Sequence, residues 1–399
     1  MKIVLINSVC GIGSTGKIVA DLYEGYKEAG HDVKVICGRQ PIKRVPEKDV
    51  LCCQSKAGLC WHIGMTRLFD RHGLTGKLST DRMIRFLRDF DPDVVHLHNI
   101  HGYYLDYRRL FAYLNSTQIK VVWTLHDAWA FTGHCAYYNG NGCYKWETHC
   151  EKCKFIRTYP KSWLIDHSKK QFDLKKRWFC GKKELTLVTP SEWLKEEAGR
   201  SFLREKRTVV INNSVDTEIF KPTPSDVLKK YGIDPNKKIV LGVSYVWGTS
   251  KGLDYFLQLP SALGKEYQIV MVGLSEKQLE SLPEGIVGIV RTFDQKELAQ
   301  LYSAASVFFN PTLCDNYPTV NIESLCCGTP VVCFSKTGGG PEIVDENGIV
   351  LDKRDLESVC EAIRKGCTST VDVAAVHEKY KKSRYVKDYL SLLQHLTAD

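Results

Sequence analysis

The chain lacks any apolar run approaching the roughly 18 residues that a membrane-spanning helix needs. Its N-terminus, Met1-Lys2-Ile3-Val4-Leu5-Ile6-Asn7, carries too short an apolar stretch for a secretion signal. Both absences point to a cytoplasmic protein, peripheral to a membrane at most, whose 16 cysteines stay reduced. Glycine and proline, 30 and 14 of 399 residues, show no excess, which excludes collagenous and low-complexity chains. Acidic residues are scarce in one part only. Residues 1–222 hold 36 Lys+Arg against 24 Asp+Glu, whereas 223–399 hold 19 against 22. A basic half implies either an anionic partner or a solvated basic face.

What is present is an ordinary globular composition, 43% hydrophobic and 25% charged, in a chain long enough for two to three domains. Short β-rich runs alternate with helical patterns. Lys2–Asn7, Asp32–Cys37, Val94–His98, Lys120–Leu125, Leu185–Val188 and Thr208–Ile211 form one series. After Pro222-Thr223-Pro224-Ser225 a second series runs through Lys238–Ser244, Gln268–Val272, Ile286–Val290, Ser306–Phe309 and Pro330–Phe334. Such alternation predicts parallel sheets with right-handed crossovers. The expected fold is α/β, with two Rossmann-like, doubly wound domains facing across a cleft. Their expected bounds are 1–222 and 223–375, with a C-terminal helix in 376–399 that can cross back to the first domain.

Open parallel sheets bind ligands beyond the carboxyl ends of their strands. The first such loop, Gly11-Ile12-Gly13-Ser14-Thr15-Gly16-Lys17, fits two motifs imperfectly. As a dinucleotide fingerprint it starts too far from its strand. As a phosphate-binding P-loop it has Ile18 where Ser or Thr must ligate Mg²⁺. A P-loop-like or NADP-binding protein using Gly11–Lys17 is therefore the alternative reading. The milder reading is that Gly13 and Ser14 let backbone amides approach an anion or a sugar.

The segment Asn310-Pro311-Thr312-Leu313-Cys314-Asp315-Asn316-Tyr317-Pro318-Thr319-Val320-Asn321-Ile322-Glu323 is the most informative. Pro318 suits the first turn of a helix that stops at Gly328. That helix N-terminus can face a diphosphate, and Glu323 can accept bonds from a ribose diol. Gly338-Gly339-Gly340-Pro341-Glu342 makes a second flexible turn.

This segment resembles the donor-site signature of retaining GT-B glycosyltransferases of the GT4 family. Asp315 and Glu323 have the signature's spacing, with Asp in place of the usual first Glu. Thr189-Pro190-Ser191-Glu192-Trp193-Leu194, Asn213-Ser214-Val215-Asp216 and Lys251-Gly252-Leu253-Asp254 resemble further family motifs in the family's order. The Cys-bearing insert after His126-Asp127 resembles members from capsule and exopolysaccharide clusters. The resemblance implies a retaining hexosyltransferase in which His126, Lys251, Asp315 and Glu323 serve catalysis. It implies donor contacts from Gly13, Ser14, Ser191, Asn213, Trp247, Asn316, Tyr317, Pro318, Thr319 and Val320. The family's Arg before the donor Lys is missing from Ser244–Ser250. The implied partners are a nucleotide-sugar and a glycan or lipid-pyrophosphate-linked acceptor, with an anionic membrane surface and no nucleic acid.

No cofactor is expected for catalysis, since no D-x-D pair stands at a strand end near the donor site. Cys135, Cys143, Cys150 and Cys153 crowd into one loop, which in a reducing compartment suggests structural zinc, with free thiols or disulfides as the alternatives. His96, His98 and His101 cluster at a strand end, with His96 expected packed and His98 lining the site. Residues 152–183 carry eleven Lys+Arg against Asp166 and Asp173. They read equally as an interfacial helix and as one packed on the sheet.

Overall fold

A computed structural model describes residues 1–138, 140, 142–290, 292 and 294–398. The chain divides into two compact units, Met1–Asn212 with Tyr385–Asp399, and Asn213–Arg384.

The first unit holds seven parallel strands: β1 (Lys2–Asn7), β2 (Asp32–Cys37), β3 (Val50–Cys52), β4 (Val94–Leu97), β5 (Lys120–Thr124), β6 (Leu185–Thr189) and β7 (Arg207–Val210). Their order is β3-β2-β1-β4-β5-β6-β7. Central strands are apolar on both faces, as a sheet covered on both sides requires. Ile3, Val4, Leu5 and Ile6 are all fully buried. The helix Gly13–Glu28 covers one face through Val19, Leu22 and Tyr26. The helix Lys382–Ala398 adds Tyr385, Tyr389, Leu392 and Leu393 to the same cluster. The last helix therefore belongs to the first unit.

The second unit holds β8 (Lys238–Val243), β9 (Tyr267–Leu274), β10 (Ile286–Val290), β11 (Val307–Asn310), β12 (Val331–Phe334) and β13 (Gly348–Leu351), all parallel. Their order is β10-β9-β8-β11-β12-β13. Strand order reverses between β1 and β4 in one sheet and between β8 and β11 in the other. These switch points open a crevice at the strand ends.

The boundary between units falls at 212/213, ten residues before the expected Pro222 joint. Val215, Phe220 and Val227 belong to the second unit's core, and Thr223 N donates to Ser303 Oγ. The Pro-rich stretch is therefore an exposed segment within the second unit, anchored at both ends, rather than a linker between units.

The helix Ser168–Gly181 is packed. It buries Gln171, Phe172, Lys175 and Phe179, and Lys175 Nζ donates to the Trp129 and Thr132 carbonyls at 2.7 and 3.0 Å. Among the described residues, no helix is long and apolar enough to cross a membrane.

Candidate functional site

In the second unit the site grows from the β8/β11 switch point. After β8 the chain makes a short turn, Thr249–Lys251, and then Gly252 at φ +73°. A Cβ there would meet Pro311 Cγ at 2.4 Å, so only glycine lets the two loops approach. Lys251 Nζ lies 2.6 Å from Asp315 Oδ2. Burial works against the lysine's charge, but the Asp315 carboxylate outweighs it and holds the ammonium above its ordinary value. Asp315 N donates to Thr337 O (2.8 Å), and Gly339 N to Asn316 O (2.8 Å), stitching the signature loop to the glycine turn. The helix Thr319–Cys326 begins after Pro318, and no side chain caps its start. Its first-turn amides, with half-buried Thr319 and Val320, supply donors for an anion. Glu323 is half-buried, and Tyr302 Oη donates to its Oε2 at 3.2 Å.

Several expected donor residues do other work. Trp247 is a core residue: it is 6% exposed, its Nε1 donates to Val272 O at 2.9 Å, and it packs edge-on to Phe256. The exposed side chains of that loop are Tyr245 and Val246. Ser191 is fully buried and caps a helix by accepting from Leu194 N. Tyr317 is buried with its hydroxyl 3.1 Å from that of Tyr380, and Asn213 Nδ2 donates to the Tyr317 carbonyl. Both brace the signature loop from behind.

In the first unit Gly11, at φ +70°, exists for packing: its Cβ would lie 2.0 Å from Lys43 O. Gly13 and Ser14 are exposed at the helix start. Ile18 is buried in the core, which removes the Mg²⁺-ligating position of a P-loop.

His126 follows β5, and its Nε2 lies 3.0 Å from His98 Nδ1, the rings stacked. Burial pushes the His126 imidazole down to about 4, so it is neutral at pH 7 and acts as a polar contact, not a cation. His96 is packed as expected, between Thr124 (2.8 Å) and Tyr26.

Sequence reasoning missed the group beside it. His101 Nε2 lies 2.8 Å from Asp127 Oδ2, and His101 Nδ1 lies 3.3 Å from Tyr159 Oη. Burial pushes the Asp127 carboxyl up, but His101 and the Trp129 amide hold it below its ordinary value. His72, fully enclosed, packs against Tyr103, Trp129 and His101. The sequence marked His101 and the His126-Asp127 dipeptide separately, but not their meeting with Tyr159 and His72, which come from distant loops.

Cys135, Cys143, Cys150 and Cys153 line one pocket of about 330 Å³ together with His134. Cys135 and Cys153 are hydrogen-bonded to each other, and Cys150 takes the Gly133 amide. Among the described residues, no three His, Cys, Asp or Glu stand as a group able to hold a metal ion.

Residues 15–219, just over half of the chain, match the profile of Glycosyltransferase Family 4. The chain belongs to this family. Residues 237–368 match Glycosyl transferases group 1. A putative colanic acid biosynthesis glycosyl transferase of Escherichia coli K12, WcaC, is 24% identical over 352 residues, 84% of each chain. The alpha-maltose-1-phosphate synthase of Mycolicibacterium smegmatis is 24% identical over 46% of this chain and 53% of its own. Among solved structures, sucrose-phosphate synthase of Thermosynechococcus elongatus superposes with a TM-score of 0.73 at 17% identity, covering 100% of this chain and 99% of that one. Anabaena HepE, in complex with UDP and glucose, gives 0.66 at 14% identity over 99% and 100%. These likenesses establish the GT-B fold, as the sequence resemblance implied.

Proposed function

We propose that this family 4 enzyme transfers a hexosyl group, with retention, from a nucleoside-diphosphate sugar to a glycan or lipid-pyrophosphate-linked acceptor in surface polysaccharide synthesis. The observation that carries the reading is the Lys251–Asp315 pair beside the uncapped start of the Glu323 helix. WcaC, named for colanic acid biosynthesis, supports the acceptor class, and HepE, solved with UDP, makes UDP the first nucleotide to try. Transfer breaks the bond between the anomeric carbon and the diphosphate through an oxocarbenium-like transition state. Negative charge builds on the leaving oxygen. Lys251 and the helix-start amides stabilise that charge. The acceptor hydroxyl bonds to the anomeric carbon, and its proton passes to the leaving phosphate. Glu323 holds the ribose diol, and neutral His126 orients the sugar.

The test is calorimetry with UDP, GDP, ADP and NADPH, followed by NMR of the product anomer. Binding of a nucleoside diphosphate and an unchanged anomeric configuration are expected. Binding of NADPH alone would return the dinucleotide alternative at Gly11–Lys17, whereas the burial of Ile18 disfavours only its P-loop form.

We further propose that Zn²⁺ draws the four loop thiols together by turning them from their present partners. Support comes from their shared pocket and from His134, whose Nδ1 lies 2.8 Å from Asp70 Oδ1 while its Nε2 has no partner. A carboxylate-oriented imidazole of this kind is a common companion of zinc. Elemental analysis of chelator-free protein is expected to give about one equivalent, and a value below about a tenth would overturn the idea.

A further inference from the structure

The helix Lys56–Phe69 is patterned inside out. It buries His62 and Thr66, and it exposes Trp61 (63%), Leu68 (38%) and Phe69 (36%). Ala57, Trp61, Gly64, Met65 and Leu68 share one face by helical spacing, and no charge interrupts them. The loop before Ser168 does the same. Trp163, Leu164 and Ile165 are 54%, 72% and 37% exposed. The two segments are joined: Trp163 N donates to Arg67 O at 2.7 Å, and the Arg67 guanidinium lies over the Trp163 ring at 5.1 Å. His167 Nδ1 adds a contact with Phe69 O at 2.8 Å.

Charge on this patch is mainly of one sign, and Asp166, which follows Ile165, spends its carboxylate on the Cys153 and Ser168 amides. No acidic residue occurs in 50–69 or in 152–165, while Lys56, Lys154, Arg157 and Lys161 are exposed. Among the described residues none of these four forms an ion pair within 4 Å, so their charge is not neutralised by the fold. Contiguous exposed apolar surface rimmed by polar groups marks an interaction site. Tryptophan, aliphatic tips and a lysine/arginine rim together suit the headgroup region of a bilayer, where an indole sits half wet and cations meet anionic lipid.

We propose that the Trp61/Leu68 helix face and the Trp163–Ile165 loop form a docking surface for an anionic lipid bilayer. It rests on the proposed lipid-linked acceptor, and it moves the membrane contact expected of residues 152–183 from the packed helix to the loop ahead of it. Docking there would bring the first unit to the leaflet that carries such an acceptor.

The test uses the full chain, without donor, and vesicles of phosphatidylcholine with or without phosphatidylglycerol. Flotation with the anionic vesicles only, a blue shift of tryptophan emission, and weakening by salt are expected. Trp61→Ala with Trp163→Ala should lower vesicle affinity about tenfold or more. Leu164→Asp, at the most exposed position, repeats the test where no fold contact is at stake. Unchanged binding by both variants, or no flotation with anionic vesicles, overturns the proposal. A wild-type dimer that the variants dissociate also overturns it, since a second protein copy would then cover the patch. Nucleotide calorimetry on the same samples separates the two readings: loss of donor binding with intact flotation overturns the proposed function alone.

Discussion

Acid should unfold the first unit for a reason that the fold itself supplies. His96 is fully buried between Thr124 and Tyr26, and burial pushes its imidazole from 6.5 down to about 3. The unfolded chain therefore binds a proton at His96 that the folded chain refuses. Stability is fully present above 6.5 and falls as pH drops towards the folded value. Between about pH 7 and pH 5 the linkage integral amounts to about 2 kcal/mol for His96 alone. His126, lowered to about 4 by burial, adds a loss of similar size, reduced because the two rings influence each other. Against a typical stability of about 5–15 kcal/mol such a loss is large. Urea unfolding at a series of pH values, followed by near-ultraviolet circular dichroism, measures it. His96→Gln, which cannot titrate, should flatten the dependence even if it lowers stability overall. A stability that is level from neutral pH to about pH 5, or a variant as pH-sensitive as the wild type, would refute the reasoning.

Glu323→Ala removes a charge-assisted bond of about 1.5–3 kcal/mol and should weaken nucleotide affinity about 10- to 150-fold in calorimetry, with melting temperature little changed. Unaltered affinity would remove Glu323 from the donor site. Gly252→Ala places a Cβ against Pro311 in left-handed backbone and should cost about 1–3 kcal/mol of second-unit stability in denaturant titration. A variant as stable as the wild type would show that the two loops yield at no cost. If Lys251 and the helix-start amides serve the phosphates, as proposed, nucleoside diphosphate binding should survive EDTA. Abolition by EDTA would overturn that account.

The sequence alone determined the two parallel sheets, because strands buried on both faces write near-continuous apolar runs such as Lys2–Asn7 and Asp32–Cys37, whose ends the structure reproduces. It also determined the signature helix, through Pro318 and Gly328. It missed β3 and β13, edge strands of 3 and 4 residues whose apolar runs are too short to stand out. Tertiary structure alone decided which polar and aromatic side chains face a site. Trp247 turned inward to pack on Phe256 and shares the Val272 carbonyl with Ser244 N, whereas Trp61 lies outward because His62 and Thr66 take the buried face. The His101–Asp127–Tyr159 cluster joins three separated loops, and the unit boundary at 212 follows from where Val215 and Phe220 find a core. Local patterning encodes periodicity and breaks in a chain. Partners far apart along it are fixed only when the packed core sets which hydrogen bonds and cavities remain to be filled.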